Sequence, residues 1–157
     1  MTPKIEMKNQ IVVRPPKPEN FKDWCRLYVG YAEFYKVPMD ETILHTLWGW
    51  IMDEDHEIEC LLAFLHGHSS PCGLAHVRRM PSPLRGMNIG FLDDLFVDPA
   101  FRGNRVGDAL FDALRSTARE RGWPKIRWIT ADDNYRARSL YDRISSKTKW
   151  NTYEMEI

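Results

Sequence analysis

The chain has 157 residues, 43% hydrophobic and 12% aromatic, with 22 Lys+Arg against 22 Asp+Glu and no formal net charge at pH 7. That length makes one ordinary domain with a packed core, expected over residues 10–157 behind a flexible, polar 1–9. The balanced charge excludes a polyanion such as nucleic acid as the expected partner, and no apolar run has the length of a membrane span. With three unpatterned cysteines, Cys25, Cys60 and Cys72, and no signal-peptide pattern, a cytoplasmic protein without a disulfide framework is expected.

Gln10 to Arg14, carrying Ile11, Val12 and Val13, forms a short strand that Pro15 and Pro16 terminate. A helix opens near Pro18 and runs to about Lys36, with Phe21, Trp24, Tyr28, Ala32 and Tyr35 near helical spacing. Pro38 breaks it, and Asp40 caps a second helix carrying Ile43, Leu44, Leu47, Trp48 and Ile51. The acidic run 53–57 reads as a solvated loop that could also attract a polyamine or lysine-rich peptide. Ile58–His66 and Cys72–Arg79 form a hairpin through Gly67–Pro71, and Met80–Met87 is a connection.

Asn88–Asp98 is the next strand, and Arg105–Arg121 an amphipathic helix closed by Gly122 and Pro124. Lys125–Ala131 is a strand, Asn134 caps a helix to about Ser145, and Trp150–Ile157 is a last strand. The order β-α-α-β-β-β-α-β-α-β implies an α/β fold, a mixed central sheet with helices on both faces. Cys60, His66, His68, Cys72 and His76 match no standard zinc spacing, so no metal site is expected. Trp48, Trp50 and the first-helix tyrosines are expected in the core.

Two segments carry chemistry. In the first, a strand ending Leu95-Phe96-Val97-Asp98-Pro99 runs through Arg102-Gly103-Asn104-Arg105-Val106-Gly107-Asp108 into a helix. Free backbone amides and the helix dipole at such a junction favour an anion, and two arginines flank it. No P-loop lysine follows, which disfavours a nucleotide triphosphate. Asp93 and Asp94 lie just upstream, and strand alternation would send them to opposite faces. The second segment is Asn134-Tyr135-Arg136-Ala137-Arg138-Ser139-Leu140-Tyr141.

Together these segments resemble the GNAT superfamily of acetyl-coenzyme A-dependent N-acetyltransferases. They match its (Gln/Arg)-x-x-Gly-x-(Gly/Ala) loop and its Asn-x-x-Ala-x-x-(Leu/Phe)-Tyr helix. The look is closest to diamine, polyamine and histone-type acetyltransferases. The resemblance implies acetyl-CoA as co-substrate, transfer to a small polyamine-like amine or a lysine-containing peptide, and a homodimer. It implies that backbone from Leu95 to Val97 pairs with pantetheine and that amides of Gly103 to Asp108 hold pyrophosphate. Arg102, Arg105, Asn134 and Arg138 join the cofactor set. It further implies Asp93 as general base and Tyr141 as general acid.

Two departures stand out. Arg105 occupies the usual first glycine of the loop, so that position should be helical or the cradle looser. The chain after Tyr141 is also longer than the family's. Both departures leave a non-catalytic acyl-CoA-binding module as the alternative function.

Overall fold

The computed structural model describes residues 10–157, so the expected flexible segment 1–9 lies outside the described residues. Five strands form one sheet in the order β1-β2-β3-β4-β5. They are β1 (Ile11–Arg14), β2 (Ile58–Leu65), β3 (Gly73–Ser82), β4 (Met87–Val97) and β5 (Ile126–Arg127). The first four pair antiparallel, whereas β5 runs parallel to β4. The helices are α1 (Phe21–Tyr35), α2 (Glu41–Met52), α3 (Val106–Arg121) and α4 (Tyr135–Ile144).

Helices cover both faces, as the alternating element order requires. Trp24 and Leu27 of α1 and Leu44 of α2 pack on Cys60, Leu62, Phe64 and Leu74 of the sheet. On the other face, Leu110, Phe111 and Leu114 of α3 pack on Leu61, Ala63, Ala75, Val77 and Leu92. Leu110 and Leu114 are fully buried, and each such burial contributes roughly 2 kcal/mol. The Asp40 carboxylate accepts from the Ile43 amide to start α2. At the end of α3, Gly122 takes φ 73, a left-handed conformation that suits a residue without Cβ.

Three expectations need correction. Strand β3 extends to Ser82, so the connection to β4 shrinks to residues 83–86. Only Ile126 and Arg127 of the expected strand Lys125–Ala131 pair with β4, because the two segments diverge beyond them. The expected strand Trp150–Ile157 is not formed: the segment is exposed and has no ladder partner among the described residues. Alternating apolar residues specify a strand only where an edge is available to pair with.

Candidate active site

The divergence of β4 and β5 creates the site. From Leu92 to Val97, β4 pairs with β3 on one side and, among the described residues, with no strand on the other. The Asp98 amide donates to the Cys72 carbonyl at 2.8 Å, which sets the parity of this ladder. Hydrogen-bonding direction alternates along an antiparallel strand. Phe96 therefore faces β3, while the amides and carbonyls of Leu95 and Val97 point into the gap.

A cavity of about 270 Å³ opens on that gap. Leu95, Phe96 and Val97 form one wall, and the loop and first turn of α3 supply Arg102, Gly103, Arg105, Val106, Gly107 and Asp108. From α4 and its cap come Asn134, Arg136, Leu140, Tyr141 and Arg143. A Cβ on Gly107 would lie 3.1 Å from Leu140, so glycine lets α4 lie close against the start of α3. That contact is what brings the two sequence motifs to one cavity.

Arg105 adopts φ 59, ψ 32 as the N-cap of α3. The position keeps the left-handed geometry of a glycine, and is neither helical nor open. Such a conformation costs a non-glycine residue about 1 kcal/mol. Among the described residues, Arg102, Arg105 and Arg136 have no carboxylate partner, whereas Arg143 pairs with Asp108 at 2.9 Å. Three unpaired guanidinium groups beside free helix amides form an anion site.

Arg105 thus offers charge at the expense of local strain, and two substitutions separate these effects. Arg105→Ala and Arg105→Gly should both weaken CoA binding about tenfold through loss of the guanidinium. Only the glycine variant should gain stability, by about 0.5 kcal/mol net of its added unfolded-state entropy. Calorimetric titration with CoA and thermal unfolding check the two outcomes. Undiminished CoA affinity in both variants would remove Arg105 from the cradle.

Not every expected residue lines the cavity. Arg138 turns to the Asp132 carbonyl at 2.6 Å, and Asn104 bonds the Phe101 carbonyl at 3.0 Å. Arg136 and Arg143 were not anticipated, because a helix's facing positions depend on how its axis lies. Asn134 does cap α4, accepting from the Ala137 amide at 3.4 Å. Its amide nitrogen also donates to the Tyr35 hydroxyl at 3.2 Å.

Tyr141 packs edge-on against Trp128 and Phe111, with ring centroids 5.4 and 6.0 Å away. Burial first, then the neighbouring Tyr35, pushes its phenol up to about 12. The hydroxyl therefore stays protonated at neutral pH and serves as a donor.

The two aspartates do not alternate. His76 pairs with Asp94 and Val77 with Leu92, leaving Asp93 as the extra residue of a β-bulge. Both carboxylates consequently reach toward the α1 side, against the opposite-face expectation. Asp93 accepts from Arg78 Nε at 2.9 Å. Burial raises its carboxyl above the ordinary value, with Arg78 opposing that rise. Asp94 accepts from the Tyr28 hydroxyl at 3.0 Å and from His76 Nδ1 at 2.8 Å.

The first-helix tyrosines also depart from the core expectation. Tyr28, Tyr31 and Tyr35 form a half-buried row with successive ring centroids 5.5 and 4.7 Å apart. The row runs from Asp94 to the cavity, which Tyr35 helps to line. Helical spacing marked these residues as one stripe but could not show that the stripe borders an opening.

A sheet splayed at one edge, with a helix start in the gap suited to an anion, is the geometry that the family shares with this chain. The chain belongs to the acetyltransferase (GNAT) family, whose model matches residues 21–145. It is 27% identical over 146 residues to a D-amino-acid N-acetyltransferase of Saccharomyces cerevisiae, covering 93% of this chain and 91% of that protein. A thialysine N-epsilon-acetyltransferase of Bos taurus matches at 30% over 66 residues, covering 42% of this chain and 38% of the relative.

Among solved structures, a ribosomal-protein-alanine N-acetyltransferase from Brucella melitensis biovar Abortus 2308 superposes with a TM-score of 0.78 at 22% identity. That match covers 94% of this chain and 99% of the other. A possible acetyltransferase from Clostridium difficile 630 gives 0.81 at 16% identity, covering 94% and 98%. The chain is an acetyltransferase enzyme. No helix among the described residues is long and apolar enough to cross a membrane.

Proposed function

We propose that the protein transfers acetyl from acetyl-CoA to a primary amine by direct attack in a ternary complex. The unpaired edge of β4 beside three unpartnered arginines carries this reading, because it fits pantetheine and phosphates together. Acetyl-CoA supplies the activated acetyl thioester.

The amides of Gly103 to Asp108, with Arg102, Arg105 and Arg136, hold phosphate charge at the start of α3. Backbone of Leu95 and Val97 pairs with pantetheine, and the Leu95 amide polarises the reacting carbonyl. An alkylammonium of pKa about 10 must lose a proton before it attacks. Asp93 takes that proton, directly or through a water, and Tyr141 donates one to the departing thiolate.

The acceptor is a small amine. The named substrates of the yeast and bovine relatives, D-amino acids and thialysine, support this over a lysine in a protein. Incubation with acetyl-CoA, a thiol reagent and spermidine, D-phenylalanine, thialysine or a lysine peptide tests it. Amine-dependent CoA release is expected with at least one small amine. CoA binding without such release would leave only the binding-module alternative.

A homodimer also fits. Trp150, Tyr153, Met155 and Ile157 are exposed, and the last three alternate with Glu154 and Glu156. Such a pattern suits pairing with a second copy at an open edge. Sedimentation velocity should show a dimer for the chain of 157 residues and a monomer when it stops at Lys149. A monomer in both would refute the pairing.

A further inference from the structure

Deep in the sheet on the α1 side lies a chain of polar groups that acetyl transfer as described does not use. His76 and the Trp24 side chain are completely inaccessible to solvent. The Trp24 indole N–H donates to His76 Nε2 at 2.9 Å. Indole nitrogen can only donate, so Nε2 must be the unprotonated ring nitrogen. The imidazole proton then sits on Nδ1, directed at the Asp94 carboxylate 2.8 Å away. Tryptophan thereby holds the histidine in one neutral tautomer.

The consequence falls on Asp94. A doubly protonated His76 would cancel its charge, whereas the neutral ring orients the carboxylate and leaves it anionic. Tyr28 also donates to it at 3.0 Å. A carboxylate has about four acceptor positions, so the His76 and Tyr28 donors leave room for a further N–H. Asp94 immediately precedes Leu95, whose backbone faces the cofactor gap, and the tyrosine row joins it to the cavity. Aromatic faces beside a carboxylate suit an ammonium.

We propose that Trp24 and His76 are positioning residues that keep Asp94 a fixed anion, and that Asp94 receives the acceptor's ammonium. This deepens the acetyl-transfer reading and rests on it for the identity of the acceptor. Asp94 binds the incoming cation, while the separate carboxylate of Asp93 takes its proton. The β-bulge makes that division possible by turning both carboxylates to one face.

The ionisable groups around His76 are Cys60 on β2, Arg78 on β3, Asp93 and Asp94 on β4, and Tyr28 and Tyr31 on α1. Burial raises Cys60, Tyr28 and Tyr31 and keeps them protonated.

Nitrogen-15 NMR of histidine-labelled enzyme should show His76 neutral, with the proton on Nδ1 and Nε2 bare. An imidazolium, or the proton on Nε2, overturns the proposal. In Trp24→Phe nothing holds Nε2 as the acceptor, the Nδ1 proton is no longer fixed on Asp94, and the acceptor KM should rise about tenfold. The KM for acetyl-CoA should stay level, and an acceptor KM equal to wild type counts against the proposal.

Should that variant fold poorly, His76→Asn and His76→Leu decide the matter. Asparagine keeps an N–H toward Asp94 and should hold the acceptor KM within about threefold of wild type, while leucine should raise it about tenfold. Equal behaviour of the two would make His76 merely structural, and overturn its role. Spermidine titration read on the His76 ring separates the two readings. A shift lost in Asp94→Asn supports the subsite even if no amine is acetylated; turnover without any shift for an accepted spermidine overturns the subsite alone.

Discussion

Tyr141→Phe should lower kcat about 100-fold, the low end of what one positioned general acid contributes, with little change in CoA affinity. The ring makes the packing contacts with Phe111 and Trp128, and phenylalanine preserves them. Only the hydroxyl is lost. Because burial holds that hydroxyl up to about 12, it carries a proton throughout the working range and can deliver it to a thiolate. The thiolate of a thiol with pKa about 8.5 is a weaker base than the phenolate, so the hydroxyl serves the departing sulfur by donating a hydrogen bond as its charge develops. Steady-state kinetics with calorimetric CoA binding separate chemistry from affinity. A wild-type kcat in the variant would show that solvent, and no phenol, protonates the thiolate.

Asp93→Asn should cost a comparable 100-fold in kcat/KM for the acceptor and abolish the acid limb of the pH profile. The sign follows from the surroundings. Burial raises the Asp93 carboxyl, and Arg78 pulls it back down through its ion pair. A base works only when ionised, so the rate falls as pH drops through this raised value. Arg78→Met removes the favourable charge and should move the limb to higher pH. Both partners are about one-third exposed, at 37% and 30%, so solvent screening keeps the displacement modest. A limb that stays in place in Arg78→Met, or survives in Asp93→Asn, assigns the proton acceptor elsewhere.

The contrast between the two aspartates shows where sequence reasoning stops. Asp93 and Asp94 are adjacent, and the period of a regular strand sends such neighbours apart. The bulge reverses that inference, and it arises from pairing with His76 and Val77 on another strand. No local signal marks it. The same holds for Arg136 against Arg138: both lie on α4, and which one borders the cavity depends on how that helix lies over α3. The tyrosines of α1 were readable as a stripe, but the opening they border exists only because β5 leaves β4 after two residues.

Other features were legible because their causes are local. Asp40 and Asn134 are cap residues, and both side chains accept the expected amides. Gly122 ends α3 where only a left-handed residue could. The loop from Arg102 to Gly107 displays a strand-to-helix junction in its own residues, and α3 its apolar stripe. Even Arg105 was visible as an anomaly, although its left-handed backbone is held by the loop closing onto α3.

The sequence by itself therefore determined the element order from Ile11 to Ile144, the helix caps and the strand-to-helix loop from Arg102 to Gly107. These depend on residue type and on spacing within one segment. Tertiary structure decided which edge of β4 lies open, that both aspartates share a face, and that a tryptophan fixes the tautomer of His76. Such properties belong to pairs of groups far apart in the chain, Trp24 and His76 among them. Their hydrogen bonds exist only once burial has removed the competing water.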